Sequence, residues 1–221
     1  MNNKPVAIPY QAVFFDFDGV ILDSVEVKTR AFAEIFRAYG PEAEKVGVEY
    51  HLANGGLSRY RKFDYVFKTV LNRSPSGTEL QKLGKKFSEL SLQGVLEAPF
   101  MPGALETLRK LKANKIPAFV VTGTPEQEIK TIIRYRGLAD YFREVRGSPQ
   151  SKEDIVADIL IRYDLEAGQC LFIGDSKTDY EAAKKTGLVF LGVAKAAERS
   201  ALPEEVAGNQ LTTTVNIKKE N

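Results

Sequence analysis

Ala12-Val13-Phe14-Phe15-Asp16-Phe17-Asp18-Gly19 is the stretch that decides the fold. From Ala12 to Phe17 it is apolar, aromatic and β-branched apart from one acid, too short for a helix, and it closes on Asp-Gly. That predicts a buried strand whose end carries carboxylates. Three comparable runs follow much later, Ala118 to Thr122, Cys170 to Asp175 and Leu188 to Val193. Near-continuous apolar strands are expected where helices cover both faces of a parallel sheet. Helical patterns stand between them. Pro102 to Asn114 carries Leu105, Leu108 and Leu111; Pro125 to Arg136 brings Ile129, Ile132 and Ile133 together and meets Gly137 as a stop; Ser151 to Tyr163 opens on a capping serine and aligns Ile155, Ile159 and Leu160. A weaker strand is expected at Glu144-Val145. The alternation predicts an α/β fold with a doubly wound, Rossmann-like parallel sheet.

Residues 24 to 94 interrupt that alternation, with helical patterns and no convincing strand. They predict an all-helical insertion, residues 24–94, after the first strand, leaving residues 1–23 and 95–221 as the α/β core. Three helices are expected in it, around Val27 to Phe36, Phe63 to Val70 and Leu80 to Leu90, with breaks at Gly55-Gly56 and Ser74 to Gly77. The polar stretch from Gly208 to Asn221 is read either as a short edge strand or as a frayed end.

Composition narrows the function class. Of 221 residues, 43% are hydrophobic and 27% charged, which excludes disordered, collagenous and coiled-coil chains. Lys and Arg number 31 against 29 Asp and Glu, a formal charge of +2 spread evenly, so no nucleic-acid partner is expected. A single cysteine, Cys170, allows no internal disulfide, and a single histidine, His51, no histidine-rich metal site. The N-terminal residues lack a basic start followed by a long apolar run, and no stretch approaches the ~18 apolar residues of a membrane span. A cytoplasmic protein without a membrane partner is expected, a monomer or weak homodimer.

The chemistry-bearing residues fall at strand ends. In an extended chain Asp16 and Asp18 point to one side, so both reach one substrate; one suits a nucleophile and the other a proton donor and acceptor. Gly174-Asp175-Ser176-Lys177-Thr178-Asp179 brings two further acids to the same edge. Paired carboxylates from two strands make a hard oxygen site suited to Mg²⁺. Thr122-Gly123-Thr124 offers a hydroxyl and backbone amides to a phosphate oxygen. Lys152 stands in the first turn of a helix, where a cation is unfavourable unless acids or an anion lie opposite. Each feature has a plainer reading as a turn, a cap or a surface lysine. In the helical insertion, Asn54 to Lys62 combines glycines, a hydroxyl and three cations. Arg59, with planar donors, and Lys62 are the substrate candidates there. His51 is expected to be structural or exposed, Cys170 inert packing, and Tyr60 and Phe63 packing within the insertion.

Taken in order, Asp16-Phe17-Asp18-Gly19-Val20, Thr122-Gly123, Lys152 and Gly174 to Asp179 resemble the four motifs of the haloacid dehalogenase-like hydrolase superfamily. The resemblance covers about Val13 to Val193, and the position of the insertion is similar to the helical-cap subgroup of phosphoglycolate phosphatases and β-phosphoglucomutases. It implies Asp16 as a nucleophile forming an aspartyl phosphate and Asp18 as general acid and base. It also implies Mg²⁺ held by Asp16, Asp175 and the backbone carbonyl of Asp18, with phosphate bound by Thr122, Gly123 and Lys152 and with Asp179 orienting Lys152 or a metal-bound water. The acid at Asp18 disfavours carbon–halogen and carbon–phosphorus cleavage. The implied substrate is a small phosphorylated metabolite, a sugar phosphate or hydroxy-acid phosphate. A phosphomutase remains an alternative, as does a non-catalytic phosphate sensor. Against the mutase, Lys28 stands where β-phosphoglucomutases usually carry a histidine, although it could serve an acid–base or anchoring part.

Overall fold

A computed structural model describes residues 9–193 and 211–212. The strands are β1 (Ala12–Phe15), β2 (Ala118–Pro125), β3 (Glu144–Ser148), β4 (Cys170–Gly174), β5 (Val189–Val193) and β6 (Leu211–Thr212), in the spatial order β3-β2-β1-β4-β5-β6. Every neighbouring pair is parallel. β1 sits inside the sheet between β2 and β4, where the winding reverses, and a ligand crevice opens beyond the C-terminal strand ends at such a point. The predicted edge strand in the tail corresponds to β6; the remainder of that tail lies outside the described residues.

Alternation along each strand feeds two separate cores. Val13 and Phe15 of β1, Val120 of β2 and Ile173 of β4 pack on one face with Ile129 and Leu108 of the flanking helices. Phe14, Phe119 and Phe172 pack on the other with Ile155 and Ile159. The covering helices are α5 (Ala104–Ala113), α6 (Glu126–Tyr135), α7 (Lys152–Arg162) and α8 (Lys177–Thr186), and all those strand side chains are essentially fully buried. Burial of this kind contributes roughly 25 cal/mol per Å² of apolar surface, which fixes the register of every strand.

Four helices rather than three occupy the insertion: α1 (Val25–Arg37), α2 (Pro41–Ala53), α3 (Arg59–Val70) and α4 (Gly77–Glu97). They enclose a third cluster built on Phe32, Phe36, Phe63, Phe67 and Phe87. α2 escaped the periodicity reading because it buries only Ala43, Gly47 and His51. Its contact with α1 is made through an absent side chain: a Cβ on Gly47 would stand 2.6 Å from the Phe36 ring. α4 starts with a capping box between Ser76 and Glu79 and runs past Gly94 to Glu97. The chain leaves and re-enters the sheet region side by side, with Asp23 N–H donating to Pro99 O at 2.9 Å and Met101 N–H to Ile21 O at 3.0 Å. Among the described residues no helix is long and apolar enough to cross a membrane.

Candidate active site

Asp16 follows β1 directly, its N–H donating to Ile173 O of β4 at 2.9 Å. Asp175 follows β4, and the register that pairs Phe15 with Ile173 brings the two acids to one spot. Carboxylate oxygens of Asp16, Asp175 and Asp179 lie within 4.8 Å of one another. Gly19, at φ +80°, turns the chain beneath them; a Cβ there would come 2.1 Å from Asp175 Oδ2, so both backbone sign and space demand glycine.

Lys152, at the start of α7, is the cation facing the cluster. Its Nζ lies 2.5 Å from Asp179 Oδ1 and 3.0 Å from Asp16 Oδ1. Asp179 spends its other oxygen on Ser176, accepting from the backbone N–H at 3.1 Å and the hydroxyl at 2.5 Å. Asp16 Oδ1 is buried and has no hydrogen-bond partner of acceptable geometry. Burial, opposed by Lys152 and reinforced by Asp179 and Asp18, raises the Asp16 carboxyl to about 6. Burial and the charges of Asp16 and Asp179 push Asp175 well above the usual carboxylate range. Burial depresses Lys152, but Asp16 and Asp179 outweigh it and the ammonium is held protonated.

Asp18 is placed differently. It accepts from Lys28 Nζ, from Ser24 Oγ at 2.6 Å and from Thr124 Oγ1 at 3.1 Å. Burial raises its carboxyl, yet the Lys28 charge and these bonds together lower it below its ordinary value. Lys28 Nζ also donates to Thr124 Oγ1 at 2.7 Å, tying α1 to β2. Asp18 is therefore neutralised by Lys28, whereas Asp16, Asp175 and Asp179 share the single ammonium of Lys152. Three carboxyl groups thus crowd around one ammonium, and the rise of Asp16 and Asp175 reflects burial together with that shortage of positive charge, which fits a divalent hard cation among these oxygen donors.

A cavity of 540 Å³ opens over these groups, within the range of small-molecule sites. Asp16, Asp18, Asp175, Thr122 and Gly123 border it from the sheet; Lys28, His51, Arg59 and Lys62 border it from the helical insertion. The Gly55-Gly56 loop closes one side. Thr178 Oγ1 donates to Gly55 O at 2.6 Å, and a Cβ on Gly123 would sit 2.2 Å from Gly56 O. Lys152, with Thr122 and Gly123, also borders a neighbouring cavity of 220 Å³.

Arg59, expected to grip a leaving group, directs its guanidinium elsewhere. Nη2 donates to Glu128 Oε1 at 2.5 Å, and Nη1 to Glu128 Oε2 at 3.0 Å and Ser88 Oγ at 2.7 Å. It stacks 4.4 Å over the Phe87 ring. The pair bridges α3 to α6. His51 is neither exposed nor remote: it is 8% exposed, faces the cavity and stacks 4.5 Å from Phe32. Cys170 is buried in β4, and burial pushes its thiol up to about 11. Ser24, Thr124 and Glu128 went unnoticed in the sequence. Thr124 had a signal in Thr122-Gly123-Thr124, whereas nothing local marks Ser24 or Glu128, whose partners lie on other elements.

A family model described as haloacid dehalogenase-like hydrolase matches residues 10–187. The chain belongs to this family of hydrolases. Among curated relatives of this hydrolase family, Phosphoglycolate phosphatase 1 of Pseudomonas aeruginosa is 29% identical over 191 residues, covering 80% of this chain and 66% of that protein. Phosphoglycolate phosphatase of Vibrio vulnificus is 27% identical over 194 residues, covering 82% of each. Among solved structures, β-phosphoglucomutase from Clostridium difficile superposes with a TM-score of 0.76 at 18% identity, covering 95% of this chain and 93% of that one. CbbY from Rhodobacter sphaeroides, in complex with phosphate, gives 0.73 at 20% identity, covering 93% and 94%. At those identities the structures show the shared α/β fold.

Proposed function

We propose that the protein is a Mg²⁺-dependent phosphatase that hydrolyses a small phosphorylated metabolite, a sugar phosphate or hydroxy-acid phosphate, through an aspartyl phosphate on Asp16. The observation that carries this reading is Asp16 Oδ1, buried without a hydrogen-bond partner 3.0 Å from Lys152 and beside a surplus of acids. A buried carboxylate oxygen met by the Lys152 charge but by no well-directed hydrogen bond is a reactive oxygen open to an incoming group. The names of the curated relatives support phosphate-ester hydrolysis.

The residues divide the work. A carboxylate oxygen of Asp16 attacks phosphorus as the ester P–O bond breaks. Lys152, Thr122 and the Gly123 N–H face the phosphoryl oxygens and stabilise their charge. In its protonated form Asp18 passes its proton to the departing oxygen and is left as the carboxylate that its surroundings favour; that carboxylate then takes a proton from the water that attacks the aspartyl phosphate and releases inorganic phosphate, which restores the acid. Asp16, Asp175 and the Asp18 carbonyl would hold Mg²⁺, which when bound supplies positive charge against the unbalanced carboxylates and the phosphoryl oxygens. Asp179 holds Lys152 in place. Helices α1–α4 act as a cap that excludes bulk water.

The test is phosphate release from a panel of phosphorylated metabolites, with Mg²⁺ and with chelator, beside Asp16→Asn. Metal-dependent release from one chemical group, reduced at least about a thousandfold in the variant (~4 kcal/mol), is expected. Release that survives in Asp16→Asn within about tenfold would remove Asp16 as nucleophile. Transfer of phosphate between positions of one substrate, without net release, would make the protein a mutase instead.

A further inference from the structure

The cations that face the cavity from the cap helices are partnered unequally. Lys28 has Asp18, and Arg59 has Glu128. Lys62, 3% exposed, has no carboxylate within ion-pair distance among the described residues; its Nζ meets His51 Nδ1 at 3.0 Å and His51 O at 3.4 Å. His51 Nε2 is buried and has no partner at all. Both residues border the cavity that contains Asp16.

With Lys62 charged, its ammonium donates to Nδ1 and the ring proton resides on Nε2. That leaves a buried N–H donor with no acceptor beside a buried ammonium whose acceptors, both on His51, are uncharged. Unpaired polar groups of this kind cost about 1–3 kcal/mol each, more when charged. Burial and the neighbouring Lys28 charge, opposed by Asp175 and Asp18, bring Lys62 down to about 7, as expected of an ammonium short of an anion.

We propose that Lys62 and His51 form the seat for an anionic group at the leaving-group end of the substrate, specifically the carboxylate of a phosphorylated hydroxy-acid. This rests on the phosphatase reading of the same cavity and narrows it. Two donors side by side match the two oxygens of a planar carboxylate, and one uncommitted cation matches its single charge. A second phosphate would bring more charge than the one free ammonium balances. Lys62 and His51 thus select the substrate and do no chemistry on it.

The experiment compares phosphoglycolate with ethyl phosphate, a pair of equal chain length with and without the carboxylate. Steady-state kinetics are measured with Mg²⁺ on the wild-type protein, Lys62→Met and His51→Asn, which retains an acceptor near Nδ1 and removes the Nε2 donor. Expected is a wild-type preference for phosphoglycolate carried mainly by KM. In Lys62→Met the loss in kcat/KM on phosphoglycolate should exceed that on ethyl phosphate by at least about tenfold, with His51→Asn moving the same way. Equal losses on both esters would assign the pair a structural role and overturn the proposal. So would a stronger wild-type preference for a sugar bisphosphate. Calorimetric titration of both esters into Asp16→Asn reads binding without turnover. A wild-type protein that releases phosphate from other esters but from neither of these overturns the carboxylate seat alone, as do equal affinities in this titration, while one that releases phosphate from no ester overturns the phosphatase reading.

Discussion

Asp18 accepts hydrogen bonds from three side chains, Lys28, Ser24 and Thr124, which aim it and, against the effect of burial, join the Lys28 charge in lowering its carboxyl so that it gives up a proton readily. An amide at that position keeps the shape and forfeits the proton. Asp18→Asn should slow turnover by about 10²–10⁴ on esters with poor leaving groups and by less on an activated aryl ester. Equal rates across leaving groups would remove Asp18 from proton transfer. Lys62 permits a prediction in pH. Its neighbours are Lys28 from α1 and His51 from α2, with Asp18, Asp175 and Lys152 from the sheet side. Between about 7, its value in the fold, and the ordinary 10.5, the unfolded chain holds a proton that the folded chain sheds. Stability drawn from this group therefore rises with pH across that window, and the full penalty is present below it. Lys62→Met should gain more thermal stability over wild type at pH 6 than at pH 9; a gain independent of pH would mean that Lys62 is not depressed. At this scale the sequence disclosed Asp16, Asp18, Thr122, Lys152, Asp175 and Asp179, because strand ends announce themselves locally. Ser24, Glu128 and the Lys62–His51 contact stayed hidden, since each depends on which helices meet.

Two cap elements lean on the core by opposite means. α3 reaches α6 through Arg59 and Glu128, both largely buried, while the Gly55-Gly56 loop reaches β2 through backbone approach. Arg59→Met and Glu128→Gln should each lower kcat/KM on every ester alike, because the guanidinium is committed to Glu128 and the pair ties α3 to α6. A double-mutant cycle should return a coupling of about 0.5–3 kcal/mol. Losses confined to one substrate would return Arg59 to substrate recognition. Gly123→Ala tests the other contact. Its φ is one that any residue adopts, but the new methyl would stand 2.2 Å from the Gly56 carbonyl, so alanine should push the Gly55-Gly56 loop off β2, lowering the thermal midpoint and cutting kcat/KM at least about tenfold. Full activity would show that this approach is not needed for catalysis. The Phe-rich helices α1, α3 and α4 were readable from their apolar spacing. α2 was not, since a helix that packs through Gly47 leaves no apolar stripe to read.

For the whole molecule, the parallel sheet and its winding were legible because a buried strand has to be apolar throughout, and only flanking helices make that tolerable. The same sheet gathers acids from β1 and β4 at a net electrostatic cost that a divalent ion relieves. Mg²⁺ alone, without substrate, should therefore raise the melting temperature, by several degrees at a hundredfold excess over its dissociation constant, or ~2.7 kcal/mol. The rise should vanish in Asp175→Asn, and a wild-type midpoint indifferent to Mg²⁺ would count against a metal at this site.

The Asp23 to Pro99 hydrogen bond has a bearing on how this architecture varies. The outgoing and returning chain pass each other within hydrogen-bond reach, so the helices between them leave and rejoin the sheet at one place. Residues there can be lengthened, shortened or exchanged without moving β1 relative to β2. The register that fixes Asp16 beside Asp175 is set within the sheet, whereas Lys62 and His51 are placed by the helices between those two crossings.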